Sequence, residues 1–198
     1  GYRQAMVGFG KPHANGGFSL LELLVVIAIL GILMRMAWLP FREMMANQRL
    51  RSVTSDLVAD LALARVEAIK RSSRVGVART TAAWVGGWVV FDDVDRDGTF
   101  DPETDGDGLC EAGEECVLAS RSALDATVNI CSADAAFDVL TFGADGAVRA
   151  YNAGALLAAI PRITVSSTFT SAGVPARQLE FSPTGRVAVV SAGVAACP

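Results

Sequence analysis

Residues 18–34 read FSLLELLVVIAILGILM, seventeen positions in which Glu22 is the only charge. A run of that length lies at the short end of what crosses a hydrocarbon core of roughly 30 Å. An ionisable group inside such a span is costly and usually marks a partner or a function. A secretory signal would have a shorter apolar region with a small-residue cleavage site after it. Here Arg35, Met36, Ala37 and Trp38 follow, then Pro40, while the small residues Gly16 and Gly17 stand in front. An ordinary anchor, the other rival, would need Glu22 to snorkel to the interface.

On the N-terminal side, residues 1–17 (GYRQAMVGFGKPHANGG) are polar, Gly-rich and aperiodic, and they read as a processed leader holding the sequence's single His, His13. On the C-terminal side Pro40 predicts a kink, because it lacks an N–H and clashes with the preceding turn. Helical spacing then resumes: Leu50, Val53, Leu57, Leu61, Ala64 and Ala68 recur every three or four positions. Arg49, Arg51, Asp56, Asp60, Glu67 and Arg71 fall largely between them. A helix from Phe18 to about residue 72 would be roughly 80 Å long. It is apolar all round at first and one-sided afterwards, so it needs two environments.

Beyond Arg74 the texture is that of β-structure. Candidate strands are Val75–Arg79, Trp84–Phe91, Val117–Ser120, Thr127–Cys131, Val139–Phe142, Ala147–Tyr151, Arg162–Thr168, Gln178–Phe181 and Arg186–Val190. Ala144-Asp145-Gly146 is a hairpin turn signal between two of them. The expected fold is α+β, an antiparallel sheet packed on the amphipathic half of a long helix. The segments are then a leader (1–17), a membrane or assembly helix (18–39), an amphipathic helix (40–73) and a β-rich domain (74–198) with an acidic loop at 92–116.

The formal charge of −4 is unevenly spread. Residues 92–115 hold eleven carboxylates against one Arg, Arg96, and loss of the leader leaves 15 basic against 21 acidic side chains. Partners are therefore not chosen by a broad positive field. The four cysteines, Cys110, Cys116, Cys131 and Cys197, all follow the apolar run, which favours disulfides in an oxidising compartment. Zinc is the alternative, but no C-x-x-C occurs. The expected pairs are Cys110 with Cys116 and Cys131 with Cys197, of the three connectivities that four cysteines allow. Enzyme readings fail on inventory, since no His lies outside the leader and Lys70 is the only Lys after it.

Gly17-Phe18-Ser19-Leu20-Leu21-Glu22 resembles the processing site of type IV pilins and type II secretion pseudopilins. That resemblance implies cleavage after Gly17 by prepilin peptidase, N-methylation of Phe18, and pairing of Glu22 with the terminal amine of a neighbouring subunit. It also implies a leader in the cytoplasm, a single pass of the bacterial inner membrane and a domain in the periplasm; the flanking basic residues alone leave orientation open. Within that superfamily the chain is similar to the FimT/GspH group of minor subunits. The helix end Asp60-Leu61-Ala62-Leu63-Ala64-Arg65-Val66-Glu67-Ala68-Ile69-Lys70-Arg71 carries the likeness. So do Gly87-Trp88-Val89-Val90-Phe91-Asp92 with Asp95-Arg96-Asp97-Gly98, and Phe181-Ser182-Pro183-Thr184-Gly185-Arg186 ahead of Cys197. Residues 99–116 look like a longer acidic insertion than the group usually has.

The resemblance implies a filament subunit without catalytic activity; a lone membrane protein that never polymerises is the weaker rival. Some members of the group bind DNA through a C-terminal G-R-x-R. Here Arg186 is present but Ala188 replaces the second Arg, and residues 117–198 hold five basic and five acidic side chains. DNA affinity scales with phosphates neutralised, so DNA is the less favoured partner. Asp93-x-Asp95-x-Asp97-Gly98, with Asp101 beyond, resembles the start of a calcium loop, but the twelfth position is Thr104 rather than Glu. A solvated acidic turn is the alternative. Trp84, Trp88 and Phe91 are expected in the core rather than at a ligand site.

Overall fold

The computed structural model describes residues 18–101, 114–132, 136–169 and 171–193. It divides into two units, Gly1–Pro40 and Phe41–Pro198. The first contains, among described residues, the start of helix α1 (Leu20–Arg71), which has Pro40 inside it. Every residue from Phe18 to Arg42 is exposed.

In the second unit the rest of α1 lies on a β-structure that has, among the described residues, ten strands, all paired antiparallel. These are β1 (Val75–Arg79), β2 (Trp88–Asp92), β3 (Val117–Arg121), β4 (Val128–Ser132), β5 (Val139–Phe142), β6 (Val148–Asn152), β7 (Ala155–Leu156), β8 (Ile163–Ser167), β9 (Arg177–Phe181) and β10 (Val187–Ser191). One sheet runs β3-β2-β1-β5-β6-β7 and the other β10-β9-β8-β4. The hairpin at Gly143–Ala147 forms as its turn residues predict, closed by Gly146 N–H to Gly143 O at 2.8 Å.

The main core holds Leu50, Leu57, Leu61, Ala64 and Ala68 of the helix against Val75, Val77, Trp88, Val90, Leu140, Phe142, Ile163, Val165 and Leu179. Removing this apolar surface from water, at about 25 cal/mol per Å², is what holds the helix to both sheets. Successive strand residues point to opposite faces. Trp88 and Val90 therefore enter the helix-facing core, whereas Val89 and Phe91 enter a smaller cluster on the far face with Ala78, Val139 and Tyr151.

Two expectations need correction. Trp84–Phe91 is not one strand: a 3-10 turn at Trp84–Gly86 precedes β2, and the indole N–H of Trp84 donates to Phe137 O at 3.2 Å. Asp60 does not lie on the polar side of the helix but on its buried face, at 5% exposure.

Candidate functional site

The helix starts on Ser19, whose Oγ accepts from Leu21 N–H at 3.3 Å and whose carbonyl accepts from Leu23 N–H at 3.1 Å. Glu22 sits in the first turn, where orphan N–H groups and the helix dipole favour a carboxylate. The spacing Ser19-x-x-Glu22 is that of a capping box, of which the Ser19 half is formed. Phe18 is exposed, and Gly17 lies outside the described residues.

The segments that resemble the minor-subunit group meet in pairs. From the helix end, Asp60 accepts from the indole N–H of Trp88 at 2.9 Å and from Arg121 Nε at 2.8 Å, tying α1 to β2 and β3. One turn further on, Arg65 reaches the turn between β9 and β10. Gly185 there has φ of +76°, and a Cβ on it would lie 2.0 Å from Gly146 O and 3.3 Å from Arg65 Nε. Only glycine fits that backbone and that gap. Ser182 closes the turn, accepting from Arg186 N–H at 3.0 Å. These contacts are structural: they fix the helix, the β5–β6 hairpin and the last hairpin to one another.

The acidic turn is built differently. A register shift between Val90 and Phe91 skips Leu118, so that Phe91 pairs with Val117 at the end of the β2–β3 ladder, and Asp92 N–H then donates to Cys116 O at 3.0 Å. That places Glu115 beside Asp93. One ligand oxygen from each of Asp93, Asp95, Asp97 and Glu115 lies within 4.8 Å of the others. Asp93 and Glu115 are buried, at 1% and 8% exposure. Arg74 Nη1 faces Asp93 Oδ2 at 3.5 Å, but the same nitrogen donates to Arg96 O at 2.6 Å and to the Tyr151 hydroxyl at 3.2 Å. Glu115 Oε2 accepts from Asp101 N–H at 2.7 Å. Asp93 Oδ1 and Glu115 Oε1 are buried without a hydrogen-bond partner among the described residues.

Burial pushes Glu115 up to about 7, helped by repulsion from Asp93, Asp95 and Asp97 and opposed by the Asp101 N–H. Burial also raises Asp93, against the pull of Arg74 and of the backbone N–H of Gly98. The turn is braced on the far face of the sheet, with Phe100 on Phe91 at 4.9 Å between ring centres. Gly98, at φ +77°, lies so close to Tyr151 that a Cβ would sit 2.4 Å from its ring. Asp101 is not in the carboxylate group, and Thr104 lies outside the described residues. Neither Glu115 nor Arg74 stood out as a site residue in the sequence.

Arg186 and Ala188 are exposed at the β9–β10 hairpin. Cys116 and Cys131 are both disulfide-bonded. Each expected pair includes one cysteine, Cys110 or Cys197, outside the described residues.

The family model described as "Type II transport protein GspH" matches residues 53–195. The chain belongs to the GspH family. A prokaryotic N-terminal methylation motif also matches residues 12–37, which include Gly17, Phe18 and Glu22. The GspH match takes in all three paired segments beyond the apolar run. Among solved structures, the chain resembles the type IV minor pilin FimU of Pseudomonas aeruginosa at a TM-score of 0.50 and 17% identity. That match covers 72% of this chain and 89% of FimU. A second crystal form of FimU gives 0.46 and 18%, over 71% and 91%. No curated protein matches the sequence. The FimU likeness bears on the pilin fold, a long N-terminal helix on antiparallel sheets, and the family match makes the chain a minor pilin or pseudopilin.

Proposed function

We propose that this GspH-family chain is a minor structural subunit of a type IV pilus or a type II secretion pseudopilus. The observation that supports it most is the helix exposed on all sides from Phe18 to Arg42, with Glu22 in its first turn, inside the methylation-motif match. So large an apolar surface requires a bilayer or other helices around it. Prepilin peptidase hydrolyses the Gly17–Phe18 bond, and the freed amine of Phe18 is methylated. In the filament that ammonium pairs with Glu22 of a neighbour, since either charge alone would be costly in an apolar bundle. The β domain stands in the periplasm, where the pairs Cys110–Cys116 and Cys131–Cys197 form.

The test is mass spectrometry of the full chain from bacteria with and without prepilin peptidase, together with incorporation of Glu22→Ala into filaments. The expected result is an N-methylated Phe18 terminus only with the peptidase, and a Glu22→Ala chain that is processed but not incorporated. A terminus elsewhere, or wild-type incorporation of Glu22→Ala, would overturn the reading.

A further inference from the structure

We propose that Asp93, Asp95, Asp97 and Glu115 together bind one calcium ion, Glu115 supplying the ligand that Thr104 cannot. The proposal is independent of the filament role and starts from two orphaned atoms. Asp93 Oδ1 and Glu115 Oε1 are buried, partnerless among the described residues, and belong to a group whose ligand oxygens lie within 4.8 Å of each other. A buried carboxylate oxygen with no donor is a cost that proteins avoid unless a ligand compensates it. Two more carboxylates, Asp95 and Asp97, close the same space, and Arg74 is the one cation paired with the group among the described residues. One guanidinium that also serves Arg96 O and Tyr151 cannot balance four carboxylates.

The donor set selects the ion. It is all oxygen and all carboxylate, which suits a hard cation and offers zinc no nitrogen or sulfur. Oxygens on opposite sides of calcium, each about 2.3–2.6 Å from it, are roughly 4.6–5.2 Å apart, whereas magnesium holds them within about 4.2 Å. Four oxygens that all lie within 4.8 Å of one another can share one such ion. The turn is also held in place beforehand. Asp95 Oδ1 accepts from Asp97 N–H at 3.1 Å, Asp97 Oδ1 accepts from Thr99 N–H at 2.7 Å, and Phe100 packs on Phe91. Little ordering is left for the ion to impose. Asp101 serves through its backbone N–H, which holds Glu115 Oε2 and leaves Oε1 for the metal.

The full chain in detergent, stripped with chelator and dialysed, is titrated with CaCl2 and separately with MgCl2. Binding is followed by isothermal calorimetry and the melting temperature by near-UV circular dichroism. One calcium per chain and a rise in melting temperature are expected, with magnesium giving a smaller rise at equal concentration. Glu115→Gln removes a charge at constant shape, and Asp95→Asn does so at an exposed position while keeping the Oδ1 that accepts from Asp97 N–H. Each weakens calcium at least tenfold, while Asp101→Asn keeps wild-type affinity. No calcium-dependent rise in the wild-type chain overturns the proposal. So does a rise that survives unchanged in both Glu115→Gln and Asp95→Asn, which would move the ion to other acidic residues. Loss of binding in Asp101→Asn overturns the ligand set.

Discussion

Asp60→Ala tests whether the helix is locked to the sheets by a buried polar contact or by apolar packing alone. Asp60 is 5% exposed and Trp88 fully buried, and the indole N–H donates to Asp60 Oδ2 at 2.9 Å. Truncation leaves that N–H in the core without an acceptor, which costs about 1–3 kcal/mol. Arg121 is half exposed and turns to water when Asp60 is lost, so it adds nothing to the figure. For a domain of this size the loss corresponds to a fall in melting temperature of roughly 2–12 °C. Near-UV circular dichroism of the detergent-solubilised chain follows it, because Trp84 and Trp88 are buried in the β domain. Trp88→Phe removes the donor, so Asp60→Ala should cost less in that background, with a coupling of about 0.5–3 kcal/mol. A coupling indistinguishable from zero would refute the reasoning, since the hydrogen bond would then contribute nothing beyond the two side chains separately.

Gly185→Ala should destabilise the chain by more than the roughly 1–3 kcal/mol of a strained backbone, because the added Cβ meets Gly146 O at 2.0 Å; a melting temperature within error of wild type would contradict the close approach. Glu67 is held below its ordinary value by hydrogen bonds from Arg71 and then Lys70. A lowered acid stabilises the fold above its unfolded value and loses that contribution as pH falls through the folded one. Between about pH 5 and about pH 3, Glu67→Gln should therefore lose less stability than wild type, in melts across that range. In a gel shift at low salt the chain should not retain duplex DNA, as its carboxylates outnumber its basic groups and Arg186 stands without a second Arg at Ala188. Salt-sensitive retention abolished by Arg186→Ala would reverse that expectation.

Much of the architecture was legible because it rests on local signals. Helix spacing from Leu50 to Ala68 marked the buried stripe, β1 and β5 have the bounds that their β-branched residues and flanking turn residues predict, and Ala144-Asp145-Gly146 marked the hairpin. One error arises where an outcome depends on a partner far along the chain. Asp60 looked like a solvent-side residue because polarity alone assigns a helix face, and the indole that accepts it into the core lies 28 positions away. Trp84 to Phe91 looked like one strand because aromatic and β-branched residues stand on both sides of Gly86-Gly87, yet that glycine pair marks the end of the 3-10 turn, with Gly87 at φ +99°. The strand β7 is two residues long, too short for any alternation to show. The acidic turn was half legible: Asp93, Asp95 and Asp97 announce themselves by spacing. Glu115 enters only through the end of the β2–β3 ladder, which no local pattern encodes.

The two polar features of the domain occupy opposite faces of the same strand. Trp88 points to the helix, where it meets Asp60, while Phe91 points away and carries Phe100 and the carboxylate turn. The β2 backbone between them is shared, but no side chain belongs to both sets of contacts. This division has a physical consequence for the contact between helix and sheet. Charge on the turn lies on the far face of the sheet, away from the helix-facing core at Leu57, Leu61 and Ala64.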